Sequence, residues 1–214
     1  METSRILIFV NGTLPDPEAA RRVVRPDDVL LAADGGALHA YRLGFRPSVV
    51  LGDLDSLDEP LRRELEAAGT IFLTFPRTKD ETDLELALKY ALQRQGRAIV
   101  LVGALGGRLD QTLANLALLS QPRLAEWEVR CDDGVEEVFF VRSRAEVDGV
   151  PGEVISLLPW GRPVTGIRTW GLRWALQGET LYPDRTRGIS NEFVEEKAVI
   201  EIQSGLLLVV HRRS

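Results

Sequence analysis

The run Ser48-Val49-Val50-Leu51-Gly52-Asp53-Leu54-Asp55-Ser56 decides the reading of the fold, because an apolar stretch of strand length stops on glycine and two aspartates. In an open parallel sheet, ligands gather outside the carboxyl ends of the strands, so a buried strand ending here delivers both acids to a site. If the chain stays extended, Asp53 and Asp55 point the same way. Side-by-side oxygen donors, with no Cys or His nearby, suit a hard cation such as magnesium. Taken alone, the same residues also make an ordinary Asp-rich turn leading into a helix cap, so the reading depends on its surroundings.

Outward from this stretch, short apolar runs alternate with helical patterns, the signature of a parallel sheet covered by helices. Strands are expected at Ile6 to Val10, Val29 to Ala33, Ile71 to Phe75 and Ala98 to Val102, with Trp127 to Cys131 as a further member. Helical spacing joins Leu38, Tyr41 and Leu43, and likewise Leu61, Leu65 and Ala68, each set ending near a glycine. The strand ends carry polar or glycine residues: Asn11-Gly12, Asp34-Gly35-Gly36, Arg77 to Asp83, and Gly103 to Gln111. Glycines there allow close backbone approach to a phosphate. Within the fourth end, Thr78 and Glu81 have capping-box spacing, and Asp80 and Asp83 are three apart, as neighbours on a helix would be. Asp83 and Asp110 fall at helix starts, where an acid also complements the helix dipole and where either is placed to accept a proton.

Helical periodicity stops at Asp132-Asp133-Gly134. Beyond it, Val138 to Val141, Val154 to Leu158, Leu172 to Leu176, Ala198 to Ile202 and Leu206 to Val210 read as strands of an antiparallel sandwich. The fold class is therefore α/β: a Rossmann-like parallel sheet with helices on both faces over residues 1–133, then an antiparallel β-sandwich domain over 134–214. Alternation places Trp170, Leu172, Trp174 and Leu176 on one face, which makes both tryptophans candidates for sandwich core. A tryptophan face also stacks on aromatic or cationic ligands, and Ser190-Asn191 offers hydrogen bonds.

The 214 residues are 44% hydrophobic and 27% charged, with a net charge of -6, which argues against a nucleic-acid partner bound through broad phosphate neutralisation. One cysteine, Cys131, excludes an internal disulfide framework and fits a reducing cytoplasm. No apolar run approaches the roughly 20 residues needed to span a bilayer, so no membrane association is expected.

Six motifs in order, Asp34-Gly35-Gly36, Gly52 to Ser56, Lys79-Asp80-Glu81-Thr82-Asp83, Gly106 to Gln111, Gly171-Leu172-Arg173-Trp174 and Gly188-Ile189-Ser190-Asn191, resemble the thiamine pyrophosphokinase family over nearly the whole chain. The resemblance implies transfer of a pyrophosphoryl group from ATP to the hydroxyl of thiamine, with magnesium, in a cytoplasmic homodimer whose active site is shared between subunits. It implies that Asp53, Asp55 and Asp83 hold magnesium, with Asp34 and Asp110 completing the catalytic acids. ATP would meet Asn11, Gly12, Asp34, Gly35, Arg108 and Asp110; thiamine would meet Lys79, Thr82, Asp83, Trp174, Ser190 and Asn191. Trp174 and Gln111 stand where many bacterial relatives carry tyrosine and histidine. The alternatives are a pyrophosphokinase for another heteroaromatic alcohol, such as a pterin, and a non-catalytic thiamine or nucleotide sensor.

Overall fold

The computed structural model describes residues 5–94 and 96–214. The chain divides into two compact units, the first ending at Gly134 and the second spanning Val135–Ser214.

In the first unit, β1 (Arg5–Phe9), β2 (Val29–Ala33), β3 (Val49–Gly52), β4 (Ile71–Thr74), β5 (Ala98–Val102) and β6 (Glu128–Asp132) alternate with α1 (Pro17–Val23), α2 (Gly36–Arg42), α3 (Glu59–Ala67), α4 (Asp83–Leu92) and α5 (Leu109–Leu119). The strands lie in the order β6-β5-β1-β2-β3-β4, every recorded pair parallel. Both faces of the central strands are covered, which is why they read as continuous apolar runs rather than as alternations. Leu7, Phe9, Ala32, Val50, Val100 and Val102 share one core with Ala20 of α1, Ala37 and Ala40 of α2, and Leu61 and Leu65 of α3. Their buried neighbours Ile8, Leu31, Ala33, Val49 and Leu51 point the other way, where α4 packs on β2 and β3. Complete burial of each large aliphatic side chain contributes about 2 kcal/mol. Chain order reverses between β1 and β5, the switch point at which α/β sheets open a crevice.

Helix starts differ from expectation in two places. α1 was not legible as a helix: it is short and buries only Ala19 and Ala20, and its start signal is a capping Asp16 whose carboxylate accepts from the Ala19 N–H at 3.0 Å. For α4 the cap is Thr82, which accepts from the Glu85 N–H at 3.2 Å, not the Thr78 and Glu81 box. Asp80 therefore precedes the helix and is not a helical neighbour of Asp83.

The second unit holds two antiparallel sheets. One has the order β12 (Asn191–Glu192), β9 (Val154–Pro159), β14 (Leu207–Arg212), β7 (Glu136–Val141); the other, β11 (Gln177–Leu181), β10 (Val164–Trp170), β13 (Lys197–Glu201), β8 (Arg144–Asp148). Phe139, Ile155, Leu157, Val164, Ile167, Phe193, Ile200 and Val209 fill its core. The strand expected at Leu172 to Leu176 does not form. Thr169 and Leu176 close the base of a loop instead, through Thr169 N–H to Leu176 O at 3.0 Å and Leu176 N–H to Thr169 Oγ1 at 2.9 Å.

Candidate active site

A cavity of about 270 Å³ opens at the carboxyl ends of the first unit's strands, lined by Asn11 and Gly12 after β1, Asp34 after β2, Thr82 and Asp83 opening α4, and Ala104 and Gly106 after β5. Its backbone walls touch closely. A Cβ on Gly12 would lie 2.4 Å from the Gly103 carbonyl oxygen, and one on Gly35 2.4 Å from Asn11 Nδ2. Backbone carbonyls leave room only for glycine at position 12, and a side chain at 35 would displace Asn11, so the expected Gly12 and Gly35 serve the packing of the rim itself.

Asp34, Asp53 and Asp83 bring one carboxylate oxygen each to within 4.8 Å of one another. At an effective dielectric of 20, two such charges repel by about 3 kcal/mol, so the arrangement favours a cation between them. Gly52 makes the convergence possible: at φ 152°, a Cβ there would stand 2.9 Å from Asp34 Cβ and 3.2 Å from Asp83 Cγ. Asp34 is itself left-handed, at φ 44°, and is 8% exposed. Among the described residues, its Oδ1 has no hydrogen-bond partner. Burial pushes the Asp83 carboxyl above its ordinary range, the Lys79 ammonium 2.9 Å away opposes the shift, and Asp34 and Asp53 add to it. An all-oxygen, partly dehydrated donor set of this kind fits a hard divalent ion.

Asp55 is not part of this group. The expected extended geometry fails at Leu54, which adopts φ 64° and buries its side chain in the core with α2 and α3. The turn carries Asp55 away to an exposed ion pair with Arg77 at 3.3 Å, while its N–H donates to Asp53 Oδ1 at 3.2 Å. Asp34 supplies the third carboxylate in its place. Arg108 and Asp110 pair with each other in the open, at 2.6 Å, outside the cavity wall. Sequence reasoning missed Thr112 and Asn115 of α5, which do line it; Asn115 Nδ2 donates to the Ala104 carbonyl at 2.8 Å. Polar Thr112 and Asn115, one turn apart behind Gln111 on a mostly apolar helix, were the available signal.

In the second unit, a cavity of about 560 Å³ is lined by Arg173, Trp174, Ala175, Leu176, Arg187, Gly188, Ile189 and Asn191. Neither candidate tryptophan is core. Gly171, at φ 74° with its Cα against the Lys197 carbonyl, breaks the alternation, so Leu172 and Leu176 are buried while Trp170 and Trp174 are 46% and 55% exposed. Trp170 lies outside the cavity; Trp174 lines it. Asn191 braces Trp174 from below: its Oδ1 accepts from the Trp174 N–H at 3.0 Å and the Glu192 N–H at 2.9 Å, and its Nδ2 donates to the Trp174 carbonyl at 2.8 Å. Ser190, at φ 57°, donates its N–H to Ser156 Oγ at 3.0 Å. Both arginines are neutralised, Arg173 by Glu192 at 2.9 Å and Arg187 by Glu179 at 3.1 Å.

Comparison with known proteins completes the picture. Two family models match, "Thiamin pyrophosphokinase, catalytic domain" over residues 20–131 and "Thiamin pyrophosphokinase, vitamin B1 binding domain" over residues 141–207. Thiamine pyrophosphokinase of Bacillus subtilis is 27% identical over 182 residues, 84% of this chain and 85% of that one. The crystal structure of a thiamin pyrophosphokinase family protein from Enterococcus faecalis, 27% identical, superposes with a TM-score of 0.81 over 99% of this chain and 100% of that chain. The Bacillus subtilis enzyme's crystal structure, at 24% identity, shares the fold with a TM-score of 0.88 over 99% of this chain and 100% of that chain. With one family matched in both parts and in the same order, the chain belongs to the thiamin pyrophosphokinase family.

Proposed function

We propose that the protein transfers the pyrophosphoryl group of ATP to the hydroxyl of thiamine, giving thiamine diphosphate and AMP. The observation that carries this reading is the Asp34, Asp53 and Asp83 cluster on the wall of a strand-end cavity, in a chain whose two parts both match this family. In the transfer, the thiamine oxygen bonds to the β-phosphorus as the bond from that phosphorus to the AMP oxygen breaks. Such chemistry asks the protein mainly for positioning and charge stabilisation.

Magnesium fits the carboxylates as Asp34, Asp53 and Asp83, with Asp34 Oδ1 buried and unpartnered among the described residues. When bound, it neutralises acids and phosphates together and so admits ATP to an acidic rim. Asn11 and Gly12 line the cavity where the phosphates would lie, with Gly35 packed behind Asn11, and Thr82 stands beside Asp83 on the same wall. The candidate acceptors of the hydroxyl proton are Asp83, on the cavity wall, and Asp110, whose carboxyl the Arg108 guanidinium holds below the ordinary range.

Trp174 is 55% exposed and lines a pocket suited to the thiamine ring system; the Arg173 guanidinium lies 5.7 Å from its ring centroid, so the opposite face is the one open to stacking, and both pocket arginines are paired with carboxylates. Asn191 acts by holding that tryptophan, with Ser190 beside it. A cytoplasmic homodimer with a shared site is part of the same proposal and rests on family membership. Among the described residues no helix is long and apolar enough to cross a membrane.

The test is to incubate the protein with thiamine, ATP and magnesium and to identify both products. Thiamine diphosphate with equimolar AMP is expected. ADP with thiamine monophosphate, or no thiamine product, overturns the reading.

A further inference from the structure

We infer that Lys79 is the internal counter-ion of the carboxylate cluster: its ammonium holds the place of a divalent cation and is displaced when one binds. The inference rests on the proposed reading of the cluster as a cation site. Among the described residues, the three converging carboxylates make one ion pair, that of Asp83 Oδ1 with Lys79 Nζ at 2.9 Å. The pair is built, not incidental. Lys79 precedes α4, so no helical repeat brings it to Asp83, and its side chain is only 13% exposed. Its segment is fastened to the helix by Glu81 Oε1, which takes the Lys89 ammonium at 2.7 Å. Desolvating an ammonium is costly unless charge compensates it, and Asp83 supplies that charge.

The compensation is incomplete. One positive charge faces three carboxylates, and among the described residues Asp34 Oδ1 and Asp83 Oδ1 are both buried without a hydrogen-bond partner, the latter meeting Lys79 as an ion pair alone. A divalent ion held by all three would satisfy more of the cluster. Two cations held at the same Asp83 carboxylate would repel, and the flexible lysine stem would let the weaker charge leave. Lys79 is thus a positioning residue that keeps the triad folded and cation-ready, and its release turns a positive charge toward incoming phosphate.

The experiment measures Mn²⁺ binding to the whole chain without nucleotide, from the free-ion paramagnetic resonance signal, for the wild type, Lys79→Met and Lys79→Arg. Lys79→Met is expected to bind Mn²⁺ about tenfold more tightly, with Lys79→Arg like the wild type. In chelator, Lys79→Met melts below the wild type, and Mn²⁺ raises its melting temperature by more. Equal or weaker Mn²⁺ binding by Lys79→Met overturns the inference. Unchanged Mn²⁺ affinity in Asp34→Asn overturns the cation-site reading itself, which separates the two failures.

Discussion

The strand-end rim of the first unit and the tryptophan pocket of the second handle charge in opposite ways. At the rim, Asp34, Asp53 and Asp83 are crowded together with the Lys79 ammonium against Asp83, and two buried carboxylate oxygens, Asp34 Oδ1 and Asp83 Oδ1, are left without a hydrogen bond among the described residues. In the pocket, each arginine has its own carboxylate and the Asn191 amide is bonded on both ends. A site with unmet charge gains most from a charged ligand, whereas a site with satisfied polar groups selects by shape and stacking. On the proposed function, the difference gives chemistry to the rim and recognition to the pocket.

The strongest way to break this contrast is to remove rim charge. Asp34→Asn or Asp83→Asn should lower the rate of thiamine diphosphate formation by about 10²- to 10³-fold, with saturating thiamine unable to restore it. Steady-state product assays decide it: near-normal turnover in either variant would exclude that carboxylate from the chemistry. In the pocket, Trp174→Ala should instead raise KM for thiamine about thirtyfold and leave kcat within about threefold. Trp170→Ala, equally exposed but outside the cavity, should leave both constants within about twofold. Equal effects at the two tryptophans would erase the distinction between lining the pocket and merely facing out.

How far each region can be read from sequence follows from the same physics. The parallel sheet announces itself because strands buried on both faces must be apolar throughout, and its rim because glycine and aspartate end them. What failed at the rim was local geometry. Alternation from Asp53 to Asp55 assumes extended backbone, and a left-handed Leu54 that buries its side chain cancels the assumption. In the β unit the same period-two argument made Trp170 and Trp174 candidates for the core and placed a strand at Leu172 to Leu176; one left-handed Gly171 undid both. Asp34 joining Asp53 and Asp83 needs three separate strand and helix ends to converge, which no local pattern encodes. The six ordered motifs were nonetheless sufficient to identify the family.

A smaller effect tests whether the pocket depends on its bracing. Asn191→Ala leaves the Trp174 and Glu192 N–H groups and the Trp174 carbonyl without their recorded partner, and should cost about 2 kcal/mol of stability. Asn191→Asp keeps the acceptor and loses the donor, so its loss should be smaller. Denaturant unfolding measures both, and a melting curve unchanged in Asn191→Ala would show that the loop holds Trp174 without it.

The smallest effects concern acid, and there the two regions should slope in opposite directions. Glu153, in the second unit, is pushed up by burial, but the Ser214 and Val150 N–H groups and the His211 imidazole outweigh this and bring it below its ordinary 4.5. Its native form binds protons less readily than the unfolded chain, so its contribution is present above about pH 5 and is lost as pH falls through the lowered value. Asp83 is raised from its ordinary 3.8, so its ionisation opposes folding: its contribution is present below that value and is lost as pH rises through the raised one. Melting temperatures in chelator, taken across pH for Glu153→Gln and Asp83→Asn against the wild type, should therefore diverge. The Glu153→Gln deficit should shrink toward acid, by a few degrees at most. Asp83→Asn should gain on the wild type toward neutral pH. Two slopes of the same sign would mean that the rim carries no unmet charge after all, because its acid would then be stabilised by ionising, as the pocket unit's is.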